Sequence, residues 1–137
     1  MQPFTERERA YLTDGPKLAR LATVGPDGTP HVVPVGWWVD PFVGVVEVRG
    51  RDLTATKKFR DVARHGRAAI VIDDLESTDP WRPRGIEVRG RAQALDGDRP
   101  LIRIHPERVV SWGIEPGERH ARSVRAREAE VRETRAA

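Results

Sequence analysis

Hydrophobic and polar positions alternate along this chain in short runs that are typical of β-strands. Residues 18–24, 31–39 and 42–48 each read as one strand, with turns rich in Gly and Pro between them. Such short connections favour antiparallel pairing, because parallel strands need longer crossovers. A nearly continuous apolar run at 67–73 and an alternating run at 85–95 predict two further strands.

The remaining apolar runs predict the rest of a small barrel. Residues 74–83 read as a loop, and residues 101–105 and 109–114 as a final strand pair or one bent strand. About six short strands with turns every 8–12 residues are typical of a barrel.

Two segments have the period of a helix. Residues 4–13 predict a short N-terminal helix, in which Thr5 and Glu8 form a capping-box pattern. Residues 53–65 predict the one internal helix. Its candidate caps are Asp52 or Thr54 at the start and Gly66 at the end.

The C-terminal segment differs from the rest of the chain. Residues 115–137 carry six Arg and five Glu, and their apolar residues are only Ala and two Val. This composition predicts a solvated helix or a disordered tail. We expect residues 118–137 to be dispensable for dimerisation and for cofactor binding. The sequence therefore divides into a barrel domain at 1–114 and a charged tail at 115–137.

Composition excludes several classes of protein. A chain of 137 residues suits one domain, and the absence of Cys excludes disulfides, iron–sulfur clusters and thiol nucleophiles. No apolar run approaches the roughly 18 residues of a membrane span, so we expect a cytoplasmic protein with no membrane partner. The net charge is only +3 and acidic residues are interspersed throughout, which argues against nucleic acid as a partner.

Motifs for common catalytic and metal chemistry are absent from the sequence. It has no dinucleotide-binding glycine motif, phosphate-binding loop or zinc-protease motif. Its four His are far apart, without the spacing of metal ligands. Asp73 and Asp74 are adjacent, but carboxylates at the end of a strand are commonly turn formers. We therefore predict no metal site and name no catalytic residue.

A cluster of cations and hydroxyls surrounds the start of the internal helix. The N-terminus of a helix presents unpaired N–H groups and a partial positive charge, and lysine commonly binds phosphate as a point charge. An anion bound there would relieve the conflict between these cations and the helix dipole. The alternative is an ordinary solvated helix face. The candidate residues are Arg51, Thr54, Thr56, Lys57 and Lys58.

The second predicted strand is a further candidate site. A proline inside a strand is typical of an edge or a bulge, where the backbone is free to bind a planar heterocycle. The alternative is an ordinary edge strand with Trp37 or Trp38 in the core. The candidate residues are His31, Val33, Pro34 and Val35.

Four blocks in order resemble a known superfamily. Residues 18–114 resemble the pyridoxamine 5'-phosphate oxidase-like split barrels, and above all their branch of coenzyme F420-dependent oxidoreductases. The blocks are residues 21–35, 50–62, 79–92 and 102–113. The flavin oxidases of the superfamily have Ser-Arg-Lys where this chain has Thr56, Lys57 and Lys58, and their C-terminal motif for the substrate phosphate is missing here.

The resemblance implies a fold, a cofactor and a reaction. It implies a mainly β, six-stranded antiparallel split barrel of the FMN-binding type, forming a homodimer with the cofactor at the subunit interface. The implied activity is that of an F420-dependent oxidoreductase that passes hydride to a small planar conjugated substrate. The alternatives are an FMN-dependent oxidoreductase and a non-catalytic flavin-, deazaflavin- or haem-binding protein. A partner chain would cover apolar side chains at Val43, Val45, Val46, Ile70 and Ile72.

Overall fold

The computed structural model describes residues 2–40 and 42–124, which form a mainly β fold. The helices are α1 (Glu6–Thr13) and α2 (Lys57–His65), and one 3₁₀ turn (Leu53–Ala55) precedes α2. The seven strands are β1 (Leu18–Val24), β2 (Pro30–Val39), β3 (Val46–Arg49), β4 (Arg67–Thr78), β5 (Trp81–Leu95), β6 (Leu101–Trp112) and β7 (Arg119–Ser123).

The strands form one antiparallel sheet that closes on itself. Its order is β3-β2-β1-β4-β5-β6-β7, and the first half of β6 also pairs with β3 to close a six-stranded ring. The second half of β6 pairs instead with β7. Closure removes most of the strand edges that an open sheet would expose. The predicted antiparallel split barrel is therefore confirmed, with a seventh strand added.

The barrel interior holds the hydrophobic core. Alternate positions of the strands point inward, as the period of two requires, and bury the core almost completely. Val46, Ile70 and Ile72 are 0–1 % exposed and belong to this interior. The sequence suggested these three as a surface for a partner chain, and that interpretation is wrong because closure of the ring turns them inward.

The two helices contact opposite ends of the barrel. Leu12 of α1 is buried in the core, and this helix leads into the start of β1. Val62 of α2 is buried in the same core, and Arg64 of α2 bonds the carbonyl of Val24 at the end of β1. The predicted Thr5 cap of α1 is confirmed, with both hydrogen bonds of the capping box to Glu8 present.

The internal helix begins later than predicted. Its N-cap is Thr56, whose hydroxyl accepts a hydrogen bond from the amide of Phe59. Neither of the predicted residues caps α2, because Asp52 has a left-handed backbone (φ 51°) and Thr54 lies within the 3₁₀ turn. The predicted C-terminal stop is confirmed, since Gly66 has φ 79° and its amide bonds the carbonyl of Val62.

The segments predicted as a loop and as two final strands belong to strands that are longer than predicted. Residues 74–78 and 81–83 are paired as the outer part of the β4–β5 hairpin. Residues 101–112 form the single strand β6, the bent-strand alternative, with an irregularity where it passes Gly90. A Cβ at position 90 would meet the carbonyl oxygen of His105 at 1.9 Å, so this bend requires glycine.

Part of the predicted tail belongs to the sheet. Residues 119–123 form β7 rather than a helix or a disordered tail, and Val124 after them is buried. That residues 118–137 are dispensable for dimerisation and cofactor binding stays a prediction. Residues 125–137 lie outside the described part of the chain.

Candidate functional site

The N-terminus of α2 carries two adjacent lysines and no acidic residue in its first turn. The hydroxyl of Thr56 donates to the carbonyl of Leu53 at 2.6 Å while it caps the helix. Thr56 therefore shapes the start of α2, and its hydroxyl is already used by the protein.

Lys57 is held by a buried carboxylate. Its ammonium lies 2.9 Å from Asp61, one turn along α2, and Asp61 is only 1 % exposed. Asp61 also accepts from Arg64 at 3.0 Å and from the hydroxyl of Thr23 at 2.9 Å. The hydrogen bond from Lys57, supported by those two donors, lowers the pKa of Asp61 to about 2. A Cβ at Gly25 would lie 3.2 Å from this ammonium, which places Lys57 against the β1–β2 turn.

Lys58 and Arg51 have cationic groups that the rest of the fold does not use. Lys58 is half-buried, and Arg51 is exposed in the segment before the 3₁₀ turn. Within residues 2–40 and 42–124, neither side chain makes an ion pair or a hydrogen bond to another side chain. Thr54 is exposed in the same segment. These groups are available to an anion at the start of α2.

Among the described residues, the first half of β2 has a free edge. Residues 30–35 pair with β1 on one side, whereas β3 pairs only with residues 36–39. The strand is regular, so Pro34 marks an edge and not a bulge. His31, Val33 and Val35 are half-buried on one face of β2, and Pro34 is exposed on the other face opposite Arg20.

The structure brings the two candidate clusters to one end of the barrel. The turn that Lys57 contacts leads directly into Pro30, so Lys57 lies beside the start of the free edge. Val35 lies farther from Lys57 than His31 does, because the four residues from His31 to Val35 span about 13 Å along a strand. The candidate residues therefore form one elongated surface rather than a single point.

A groove at the opposite end of the β1–β2 hairpin was missed by the sequence analysis. It has a volume of about 530 Å³ and lies between the end of α1, the start of β1 and the second half of β2. Adjacent residues of a strand face opposite sides of the sheet, so one of two adjacent tryptophans must lie outside the core. This is the sequence signal that could have indicated the groove. Trp37 packs against the core and Trp38 is 57 % exposed. The lining residues are Leu12, Thr13, Gly15, Pro16, Lys17, Leu18, Val35, Gly36, Trp37, Trp38 and Val39.

A hydrogen-bonded cluster fixes α1 beside this groove. The hydroxyl of Tyr11 donates to Asp74 at 2.8 Å, and Arg84 binds both oxygens of Asp74 at 2.9 Å. The contact with Arg84 lowers the pKa of Asp74, while burial and the bond to Asp74 raise the pKa of Tyr11 well above its usual range. Tyr11 therefore remains a neutral phenol and is a poor proton donor.

The paired aspartates of the sequence both bind arginine. Asp73 lies 3.0 Å from Arg20, and Asp74 is held by Arg84 as above. Across residues 2–40 and 42–124, no three His, Asp or Glu side chains converge as metal ligands would. No helix in the same ranges is long and apolar enough to cross a membrane.

Comparison with known proteins identifies the family. The profile of the pyridoxamine 5'-phosphate oxidase family matches residues 4–136. A 5a,11a-dehydrotetracycline/5a,11a-dehydrooxytetracycline reductase from Streptomyces rimosus is 45% identical over 122 residues, which cover 82% of this chain and 85% of that protein.

Solved structures with little sequence identity share the fold. A heme binding protein from Mycobacterium smegmatis superposes with a TM-score of 0.68 at 18% identity, covering 94% of this chain but 62% of that one. An F420 reductase superposes with a TM-score of 0.57 at 23% identity, covering 73% of this chain and 94% of that one. The family profile and the reductase relative support an oxidoreductase, and the chain belongs to the pyridoxamine 5'-phosphate oxidase family of split barrels.

Proposed function

We propose that this protein is an F420-dependent oxidoreductase that reduces a conjugated double bond in a small planar molecule. The observation that carries the proposal is the pair of cations without a partner in the described ranges, Lys58 at the start of α2 and Arg51 in the segment that leaves β3 opposite Gly36. The fold shared with an F420 reductase and the identity with a dehydrotetracycline reductase agree with it.

The residues at this surface fit a cofactor with a phosphate and a planar ring. Lys58 and Arg51 would bind the phosphate together with the free N–H groups at the start of α2. Lys57 contributes less, because its charge is already compensated by Asp61. The backbone edge of β2 at His31–Val35 offers donors and acceptors to the polar rim of a ring, while Val33 and Val35 supply apolar contact.

A deazaflavin held there would supply hydride-transfer chemistry for reduction of the substrate double bond, with solvent as the source of the balancing proton. The chain itself binds both partners, orients them and excludes water from the contact. No acid catalyst is assigned to a side chain, since the buried phenol of Tyr11 holds its proton too tightly.

We also propose a homodimer, on grounds that differ from those of the sequence analysis. Val32 is 64 % exposed on the outward face of β2. It lies opposite Ala22, which in turn lies opposite Ala69, and both alanines are half-buried, so an apolar strip crosses three strands. Apolar patches at a protein surface commonly contact another protein chain.

The test of the cofactor is a pair of titrations. Oxidised F420 and FMN are each added to the purified protein, and binding is followed by quenching of ligand fluorescence. We expect tighter binding of F420, and steady oxidation of reduced F420 once a dehydrotetracycline is added. Tighter binding of FMN would favour the flavin enzyme, and binding without turnover of any such acceptor would favour a non-catalytic carrier.

A further inference from the structure

Arg122 of β7 uses all five of its N–H groups as hydrogen-bond donors. Two of them bond the carboxylate of Glu8, which is completely buried, and two bond the carbonyl of Pro3. The fifth lies 2.9 Å from Nδ1 of His120, two positions earlier on the same strand. These contacts form the α1–β7 junction, in which one guanidinium holds the N-terminal helix and is itself held by His120.

The contact between Arg122 and His120 needs an unprotonated Nδ1. A guanidinium has donors only and does not lose its proton, so Nδ1 must be the acceptor. A neutral imidazole can accept at Nδ1 when its proton lies on Nε2. Protonation of Nδ1 would set one N–H against another at 2.9 Å and would bring two positive charges together. This hydrogen bond therefore exists only while His120 is neutral.

The other groups around His120 do not reverse this effect. Nδ1 lies 4.0 Å from Glu8, farther than from the guanidinium, and Arg122 bonds both oxygens of Glu8. Burial acts to raise the pKa of Glu8, yet the hydrogen bonds from Arg122 help to lower it, so Glu8 stays charged in mild acid. β6 contributes the neutral hydroxyl of Ser111 opposite His120, and the loop before β7 contributes Glu115, which accepts from the N-cap hydroxyl of α1. The imidazole side chain is 42 % exposed, so it can leave the contact for solvent once it is charged.

We propose that His120 makes the α1–β7 junction sensitive to pH, so that the junction is tight while His120 is neutral and loosens when His120 is protonated. Histidine is the side chain that ordinarily changes charge between pH 5 and pH 8, so the junction responds to modest acidification. The inference does not depend on the proposed reaction, because α1 and the cations of α2 lie at opposite ends of the barrel.

Amide hydrogen exchange at pH 5.5 and pH 7.5 tests the junction directly. Exchange is followed by mass spectrometry on the full chain, with the rates corrected for the intrinsic effect of pH. In the wild type we expect the protection of residues 6–13 and 119–123 to fall about tenfold at the lower pH, the low end for a hydrogen bond from a charged donor. Residues 57–65 of α2 are the internal reference, and their protection should not change.

Two substitutions at His120 imitate its two charge states. His120→Gln offers a carbonyl oxygen that accepts from Arg122 at either pH, so residues 119–123 should be equally protected at pH 5.5 and pH 7.5. His120→Lys is positive at both values, so these residues should exchange about tenfold faster than in the wild type at pH 7.5. His65→Gln is the matched control and should keep the wild-type response, because His65 is exposed at the end of α2.

Three results would overturn the inference. A fall in protection at pH 5.5 that persists in His120→Gln would show that another group titrates. Wild-type protection of His120→Lys at pH 7.5 would show that the junction tolerates a charge at this position. An equal fall in protection of residues 57–65 would show that acid loosens the whole fold rather than the junction.

Discussion

Lys57 and Lys58 are neighbours in sequence but have different electrostatic surroundings. Lys57 neutralises Asp61, a carboxylate that is otherwise buried among the residues between α2 and β1. Lys58 projects about 100° away around the helix axis and has no such partner within the described ranges. A ligand anion would therefore gain more from Lys58, which has no internal carboxylate to compete with it.

We expect Lys57→Ala and Lys58→Ala to separate stability from binding. Lys58→Ala should weaken F420 binding about 10- to 100-fold, the range for a charged hydrogen bond, and leave the melting temperature of the free protein unchanged. Lys57→Ala should lower that melting temperature, because Asp61 loses its nearest cation, and should affect binding less. Calorimetric melting and fluorescence titration of both variants measure the difference, and an inverted pattern would contradict it.

Asp61 should also make stability depend on pH in acid. Its pKa of about 2 in the folded protein lies below the ordinary 3.8 of an unfolded aspartate. The folded state therefore binds this proton less readily, so the stabilisation is complete above pH 4 and is lost as pH falls towards 2. Urea unfolding between pH 2 and pH 5 should show a smaller pH dependence in Asp61→Asn than in the wild type. Equal slopes in the two proteins would show that other carboxylates dominate.

At the scale of elements, α1 and β7 are joined by a buried ion pair. Glu8 of α1 is completely buried, and Arg122 of β7 bonds both of its carboxylate oxygens. Burial acts to raise the pKa of Glu8, but the hydrogen bonds from Arg122 and Thr5 outweigh it and lower the pKa. Arg122 also donates to the carbonyl of Pro3. This contact ties the N-terminal helix to the last described strand.

Removal of one member of this pair should be costly. Arg122→Met should destabilise the fold by about 3–5 kcal/mol, because it leaves the charge of Glu8 buried without its main partner. The double variant Glu8→Met/Arg122→Met should recover much of that loss, since no charge is then buried. Urea unfolding of the two variants measures both values. A double variant less stable than Arg122→Met would show that Glu8 stabilises the fold through other contacts, such as the hydrogen bond that it accepts from the amide of Thr5.

Elements with a strong local period could be predicted from the sequence, whereas β7 could not. The bounds of β1 and the capping box of α1 follow from alternation and from Thr5 and Glu8, which are local signals. The five residues of β7, Arg119–Ser123, are mostly polar and have no apolar face of their own. Their structure comes from pairing with β6 and from Glu8, more than a hundred positions away. Such long-range partners leave no mark in a local pattern.

The same limit applies to the candidate site. Its cations and free strand edge could be predicted from Lys57, Lys58 and Pro34. The ion pair between Lys57 and Asp61 could also have been predicted from the sequence, because the two residues are four positions apart on one helix. The groove could not be predicted, since Lys17 and Trp38 meet only when β1 pairs with β2 and α1 packs beside them.

At the scale of the whole molecule, closure of the ring buries the apolar side chains that point inward. The apolar side chains that stay exposed therefore lie on its outer surface. We expect light scattering to give the mass of two chains, and Val32→Glu to reduce it to one without lowering helix and strand content. Val43→Glu is the matched control, because Val43 is also exposed (45 %) but lies at the β2–β3 turn, away from the apolar strip. A monomeric wild type, or equal effects of the two substitutions, would contradict the proposed interface.

The ion pair between α1 and β7 has a consequence for synthesis of the protein on the ribosome. Glu8 leaves the ribosome early, and Arg122 follows only after 114 further positions. Until then α1 can dock only by burying a carboxylate without its main partner, so a growing chain gains little from docking it. The end of the barrel that α1 contacts therefore stays open until translation of the described residues is nearly complete. A nascent chain stalled before Arg122 would leave apolar core residues accessible to chaperones and to other unfinished chains.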